Sequence, residues 1–212
     1  FEIKQNVICK KFETLKNVSF MNFLSKYGID SGNNLMKWLE DLMELKNVDK
    51  NITLKDFYEL NKIDFQIIAT NLNKYSSTKF NYSCTPEVKV IDAIRMSISI
   101  PFMFTTNKYK DDIHVDGGLI DNFPIKLFSN NLENVLGLKL VSNGEMSSHV
   151  VDEKIDNIES YIYHVLSCYV VQKEKLTTMS EIYNQHTKYI HTENITHTVN
   201  FSLTTNEKKK LI

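Results

Sequence analysis

The stretch DDIHVDGGLIDNFPI, residues 111–125, decides how this sequence is interpreted. In it a short apolar strand ends in Asp116 and is followed at once by Gly117 and Gly118, two of only six glycines in the chain. Two glycines after a strand allow a positive φ angle or the close approach of another backbone. Ligands bind at the carboxyl ends of strands in a parallel α/β sheet, where a carboxylate can serve as a base or orient a nucleophile. A tight turn in which the aspartate accepts hydrogen bonds from its own backbone explains the pattern equally well.

Strand and helix patterns alternate on both sides of this stretch. Short apolar, β-branched runs at Asp64–Thr70 and Asn134–Val141 predict buried strands. Apolar residues at helical spacing from Leu35 predict a helix, with Asp30 and Ser31 as candidate N-caps. This alternation predicts an α/β fold, a layered domain with a mostly parallel central sheet.

The chain shows no internal repeat, low-complexity tract or Pro/Gly-rich linker, so we expect one domain over residues 1–212. From residue 151 to residue 212 the pattern predicts a long helix beginning at about Ile155, and short strands at Tyr189–His191 and Thr198–Phe201. The charged stretch Asp152–Asp156 is a candidate boundary, although its composition favours a solvated loop.

Two segments carry a resemblance to a known family. VIDAIRMSISIPFMF (residues 90–104) and HVDGGLIDNFPI (residues 114–125) resemble the patatin-like phospholipase family. The matching positions of the first segment are Ala93, Arg95, Ser97, Pro101 and Phe104, and those of the second are Asp116, Gly117, Gly118, Asn122 and Pro124. The resemblance runs roughly from Phe20 to Val141, so it is strongest within residues 1–150.

The resemblance implies a three-layer α/β/α domain that hydrolyses carboxylic ester bonds of lipids, in the manner of a phospholipase A or an esterase. Chemistry in this family relies on a Ser–Asp dyad, and Asp116 matches the aspartate. By the same resemblance Gly117, Gly118, Asn122 and Pro101 shape the site or bind substrate. No metal and no organic cofactor is implied, and the expected partners are a lipid ester and, through peripheral contact, a membrane or lipid surface.

The serine of the family lies in a G-x-S-x-G elbow after a strand, upstream of the segments matched here. The G-x-x-x-G run from Gly28 to Gly32 has Asp30 at its centre, and its place before the Leu35 helix predicts a turn at a helix start. We therefore expect the N-terminal strand and the elbow to lie outside these 212 residues. This chain would then supply the aspartate and be inactive alone.

Other readings of the same residues stay open. Alternation along a strand puts Asp112, His114 and Asp116 on one face, where they could ligate a divalent metal, and a Ser–His–Asp triad is also conceivable. Arg95 is the only arginine and could bind a carboxylate or a lipid phosphate. A catalytically inactive lipid- or protein-binding relative of the family is the alternative function.

Composition favours none of the other common classes. The formal net charge of −1 gives no reason to expect nucleic acid as a partner, and no run of 18 apolar residues predicts a transmembrane segment. Three cysteines at wide spacing indicate reduced thiols rather than a disulfide framework. We therefore expect a cytoplasmic protein that contacts membranes peripherally.

Overall fold

The computed structural model describes residues 25–141 and 181–191, together with Phe23 and positions 155, 161–162, 164–166 and 168–169. The chain divides into two compact units, Phe1–Asn122 and Phe123–Ile212. Each unit is described by itself, and one domain over the whole chain stays a prediction. Within the described residues, every helix is too short or too polar to span a bilayer.

A four-stranded antiparallel sheet forms the centre of the first unit. Its strands are β2 (Ile67–Asn71), β3 (Ser76–Phe80), β5 (Asn107–Tyr109) and β6 (Asp112–Asp116), in the order β3-β2-β6-β5. A four-residue turn joins β2 to β3, and a two-residue turn of Lys110 and Asp111 joins β5 to β6. Both residues of that shorter turn have positive φ angles, 49° and 66°, as two-residue hairpin turns commonly require.

A second, two-stranded sheet pairs β1 (Gly28–Asp30) with β4 (Phe102–Phe104) in parallel. A Cβ at Gly28 would overlap the backbone of Phe104, so only glycine allows this approach. The predicted turn at a helix start is confirmed, but Gly32 itself is the N-cap, at a φ of 74°. Asp30 contributes by accepting a hydrogen bond of 2.6 Å from the Gly32 N–H.

Three helices of the first unit are α1 (Asn33–Leu45), α2 (Leu54–Asn61) and α3 (Val90–Ser97). Thr53 stands three residues before Asp56, a spacing typical of the start of a helix. Its Oγ1 accepts the Asp56 N–H at 3.1 Å and so caps α2. Helix α3 packs on β2 and β6. The core shared by the helices and the sheet consists of Leu54, Ile67, Ala69, Phe80, Val90, Ala93 and Met96. A short helix, α4 (Gly118–Asp121), follows β6.

The second unit contains a parallel pair of strands, β7 (Gly137–Val141) and β8 (Thr187–His191). A kinked 3₁₀ segment, Ile125–Asn134, precedes β7, and α5 (Glu181–Gln185) precedes β8. The strand predicted at Tyr189–His191 is thereby confirmed. The strand predicted at Asn134–Val141 is present but begins at Gly137, and it is not buried as expected, since Leu138 and Leu140 are exposed. Residues 161–162, 164–166 and 168–169 are helical, whereas the strand predicted at Thr198–Phe201 lies outside the described residues.

The mixed α/β class is confirmed, and the pairs β1–β4 and β7–β8 are parallel, as expected of such a fold. The four-stranded sheet differs from the expected parallel arrangement. Short hairpin turns join β2 to β3 and β5 to β6, whereas a parallel pair would need a long crossover connection. The two hairpins then pair with each other antiparallel, through β2 and β6.

Candidate active site

Asp116 is the last residue of β6 and is anchored through its backbone. Its N–H donates to the Ser99 carbonyl oxygen at 2.9 Å, and its carbonyl oxygen accepts the Thr70 hydroxyl at 2.9 Å. Ala69 lies opposite it on β2. Two separate segments, β2 and the turn after α3, thus fix the main chain from which the carboxylate projects.

Gly117 allows β6 to end against β2. Its N–H donates to the Ser97 carbonyl oxygen at 3.1 Å, and a Cβ here would lie 2.9 Å from the carbonyl carbon of Ile68 and closer still to its oxygen. The predicted close approach is therefore present. A positive φ is not: Gly117 has a φ of −64° and a ψ of −29°, because the chain turns directly into a right-handed helix.

Gly118 brings the Asp116 carboxylate and the Asn122 side chain together. Its N–H donates to Asp116 Oδ1 at 2.7 Å. A Cβ on Gly118 would lie 2.9 Å from Asp116 Oδ1 and 2.9 Å from Asn122 Oδ1. The local hydrogen bond is the one that a simple turn would also make, and it leaves Asp116 Oδ2 without a hydrogen bond from the described residues.

Burial raises the pKa of Asp116, and the hydrogen bond from the Gly118 N–H opposes that rise. The charged carboxylate loses hydration in this position, so the protonated form is favoured relative to an exposed aspartate. A carboxylate with a raised pKa is a stronger base than an ordinary one. This is the property that proton abstraction from an alcohol needs.

Two serines, the last residue of α3 and a residue of the turn before β4, hold the main chain of Asp116 and Gly117. Ser97 donates its hydroxyl to the Ile68 carbonyl oxygen at 2.6 Å, and Ser99 donates its own to the Arg95 carbonyl oxygen at 2.6 Å. The hydroxyl groups of both serines are therefore bound to backbone oxygens. These bonds fix the two serines, whose carbonyl oxygens accept the N–H groups of Gly117 and Asp116. Pro101 is half-buried in the same turn, two residues beyond Ser99, and its role in shaping the site stays a prediction.

Arg95 is buried inside the first unit, with 5% of its surface exposed. Its guanidinium donates to the carbonyl oxygens of Ser31 at 2.9 Å and Thr105 at 3.1 Å, and also to the Ser99 hydroxyl. Burial lowers the pKa of Arg95, and the charge of Asp30 opposes this. With its donors bound to backbone oxygens, Arg95 joins the loops before α1 and after β4 rather than facing a lipid phosphate.

Asp112 and His114 are occupied by neighbours on the sheet. The Asp112 carboxylate accepts hydrogen bonds from Lys74 at 2.6 Å and Asn71 at 2.8 Å, which lower its pKa. His114 is 1% exposed, and its ring nitrogens lie 3.1 Å from the Thr78 hydroxyl and from the Asp112 carbonyl oxygen. Burial lowers the pKa of His114, which favours the neutral ring.

These contacts lend no support to a metal site or a triad that uses His114. In the part of the chain that the structure describes, no cluster of three His, Cys, Asp or Glu side chains could hold a metal ion. Both nitrogens of His114 already face partners within the sheet, so the ring would have to leave its packed position to serve as a base.

Comparison with known proteins places this arrangement in a family. The model of the family described as patatin-like phospholipase matches residues 2–129, which is more than half of the chain. The chain belongs to the patatin-like phospholipase family. The matched residues include Asp116, both glycines that follow it and the turn before β4.

Three relatives are similar to this chain in sequence, and the name of the first agrees with this membership. "Probable lipid hydrolase 463L" of Invertebrate iridescent virus 6 is 33% identical over 47% of this chain and 34% of its own length. "Uncharacterized protein R571" of Acanthamoeba polyphaga mimivirus is 29% identical over 76% of this chain and 52% of its own length. "Uncharacterized protein YqhO" of Bacillus subtilis is 31% identical over 61% and 46%. The chain thus spans between about a third and a half of the relatives it matches.

As a member of the patatin-like phospholipase family, the chain has a mixed α/β fold with parallel strand pairs, consistent with an α/β/α domain. The structure brings Asp116, Gly118 and Asn122 together and uses Gly117 for contact with β2. Sequence reasoning missed Thr70, whose hydroxyl holds the Asp116 carbonyl from 46 residues away. No local pattern marks such a contact, since a threonine in a strand is ordinary.

Proposed function

We propose that the protein containing this chain is a serine-type lipid acyl hydrolase in which Asp116 is the base and the nucleophilic serine lies outside these 212 residues. One observation carries the proposal: the Asp116 carboxylate lies at a strand end, has a raised pKa and leaves Oδ2 without a hydrogen bond from the described residues. Family membership and the name of the iridescent virus relative support a lipid ester as the substrate.

The chemistry follows from the carboxylate. The serine oxygen attacks the ester carbonyl carbon while its proton passes to Asp116, and collapse of the tetrahedral intermediate releases an alcohol that takes this proton. Water then attacks the acyl-serine in the same way, its proton passing through Asp116 to the serine oxygen, and a fatty acid leaves. The route needs neither a metal nor an organic cofactor, and it needs no histidine.

Geometry around the carboxylate supports this role for Asp116. Backbone bonds to Ser99 and Thr70 hold the strand end, and the Gly118 N–H holds one carboxylate oxygen, so the other oxygen keeps a defined position. A base held in this way loses little entropy when the reacting groups meet. In this proposal Gly118 and Asn122 lie beside the reacting atoms, and Pro101 shapes the site through the turn before β4.

Peripheral contact with a lipid surface and a cytoplasmic location are parts of the same proposal. A hydrolase of membrane lipids must reach its ester at an interface, whatever its own solubility. The two cysteines among the described residues, Cys84 and Cys168, are free thiols, which agrees with a reducing compartment.

A fluorophosphonate probe, which reacts with activated serines, tests the proposal on the whole protein. We expect labelling of the native protein and its loss in Asp116→Asn. Asp111→Asn is the matched control, because it makes the same change at an exposed turn residue whose φ of 66° suits asparagine. Folded native protein that remains unlabelled would instead indicate the inactive lipid- or protein-binding relative.

A further inference from the structure

A cleft of about 680 Å³ lies in the first unit, away from Asp116. Its walls are the loop from Cys84 to Lys89, residues of α3 between Asp92 and Met96, and β5 with the first residue of the turn that follows. Tyr109 in this wall pairs with Asp112, at the opposite end of β6 from Asp116. Four residue steps along β6, or about 13 Å, separate these two ends, and Asp116 is not among the residues that line the cleft. The volume lies within the range of small-molecule sites, about 300–1,000 Å³.

The floor of this cleft is apolar and firmly held. Pro86, Val88, Met96 and Tyr109 contribute to it. Met96 is 3% exposed and belongs to the core, and the Tyr109 ring packs edge-on against Phe80. Such a floor does not need a ligand to become ordered, so little conformational entropy is lost when an apolar group binds there.

The rim of the cleft is cationic. Three exposed lysines, Lys89, Lys108 and Lys110, line it against two exposed acidic residues, Glu87 and Asp92, whereas the Arg95 side chain that also lines the cleft is only 5% exposed. Arg95 uses its donors on backbone oxygens, and Lys89 donates to Asn51 Oδ1 at 2.9 Å. Lys108 and Lys110 are exposed and form no ion pair with any residue that the structure describes. Nζ of Lys110 lies 5.3 Å from the centre of the Tyr109 ring, beside the apolar floor. Since no carboxylate of the described residues neutralises these two ammonium groups, both can attract an anion.

We propose that this cleft binds a single-chain anionic amphiphile of the fatty-acid type, with its carboxylate at Lys108 and Lys110 and its alkyl chain along the apolar floor. A small inorganic anion would leave the floor unused, and a neutral lipid would leave the two lysines unused. The site is separate from the Asp116 carboxylate. The proposal that this cleft binds an anionic amphiphile does not depend on the proposed hydrolase activity.

Calorimetric titration of the whole protein with decanoate, below its micelle-forming concentration, tests the proposal. We expect saturable binding that Lys108→Gln/Lys110→Gln weakens about tenfold, since each partly exposed charge contact contributes several-fold at most. Lys37→Gln/Lys55→Gln, which removes two exposed lysines from α1 and α2, is the control of equal charge and should leave affinity unchanged. Absence of binding, equal weakening by both pairs, or equal affinity for decyltrimethylammonium would overturn the proposal.

Cys84 reports where the ligand binds. Its exposed thiol lines the cleft, whereas Cys168 is an exposed thiol that does not. Saturating decanoate should slow alkylation of Cys84 several-fold and leave that of Cys168 unchanged, as peptide mass spectrometry can measure. Decanoate bound near Asp116 instead would leave Cys84 unprotected and contradict the assignment. Equal protection by inorganic phosphate would contradict the part given to the apolar floor.

Discussion

Gly117→Ala and Gly118→Ala should affect different properties, although the two positions are adjacent. The first substitution should lower the stability of the fold, and the second should lower the activity. A Cβ at Gly117 would lie 2.9 Å from the carbonyl carbon of Ile68, where non-bonded carbon atoms prefer about 3.5–4.0 Å. The obstacle is the backbone of β2, whose Ile68 oxygen would lie closer still at 2.3 Å, so β6 must move away by roughly 1 Å. That movement strains the hydrogen bonds from Gly117 to Ser97 and from Ser97 to Ile68.

The cost at Gly117 can be summed from these parts. Overpacking typically costs about 1–3 kcal/mol, and each weakened hydrogen bond about 0.5–1.5 kcal/mol, so Gly117→Ala should lower the free energy of unfolding by about 2–6 kcal/mol. At Gly118 the obstacles are two side-chain oxygens, of Asp116 and Asn122, which can rotate aside. Alanine also favours the helix that begins there, so Gly118→Ala should change stability by less than about 1 kcal/mol.

Gly118→Ala should lose activity although it keeps most of its stability. Gly118→Ala displaces the Asp116 carboxylate by a few tenths of an ångström and should lower ester hydrolysis by about ten- to a hundredfold in a folded protein, because small misplacements of reacting groups are costly. Urea denaturation and hydrolysis of a short-chain ester, both on the whole protein, measure the two effects. Equal stability of the two variants would refute the packing argument, and full activity of Gly118→Ala would refute the placement of the carboxylate.

Three further predictions concern charge and capping. Because burial raises the pKa of Asp116, this group stabilises the fold fully below its unfolded pKa of about 3.8 and progressively less as the pH rises through its folded pKa. Asp116→Asn should therefore have a higher melting temperature than the native protein at pH 7, and the difference should shrink toward pH 4. The rate of hydrolysis should fall by about 10²–10⁴-fold. A difference in melting temperature that does not depend on pH would contradict this prediction. Arg95→Lys should destabilise the fold by about 1–3 kcal/mol in urea denaturation, because one ammonium group cannot reach the oxygens of Ser31 and Thr105 together; an unchanged denaturation midpoint would show that these contacts carry little energy. Thr53→Ala should cost about 1 kcal/mol through loss of the α2 cap, and Thr53→Ser should restore most of it.

Local patterns predicted the elements that depend on neighbouring residues. The apolar run around Ile67 and the cap at Thr53 are present because strand burial and capping need only a few consecutive residues. Asp116 could be located at a strand end for the same reason. The family resemblance, rather than the pattern, suggested what the carboxylate does.

The remaining features depend on partners that are distant in sequence. Which strands pair, and in which direction, is decided by whole-sheet packing, so the antiparallel ladder between β2 and β6 could not be read from either strand. The same holds for Arg95, whose guanidinium reaches carbonyls on two separate loops. In β4, Met103 and Phe104 are buried, whereas Phe102 has a φ of 67° and is 45% exposed, a difference that depends on how β4 pairs with β1.

The two amides that follow Val115 in the chain, those of Asp116 and Gly117, donate to the carbonyls of Ser99 and Ser97 at the carboxyl end of α3. The end of α3 and the turn after it therefore hold the main chain from which the Asp116 carboxylate projects. Unwinding the last turn of α3 would release these bonds and let the carboxylate move, without any change to the Asp116 side chain.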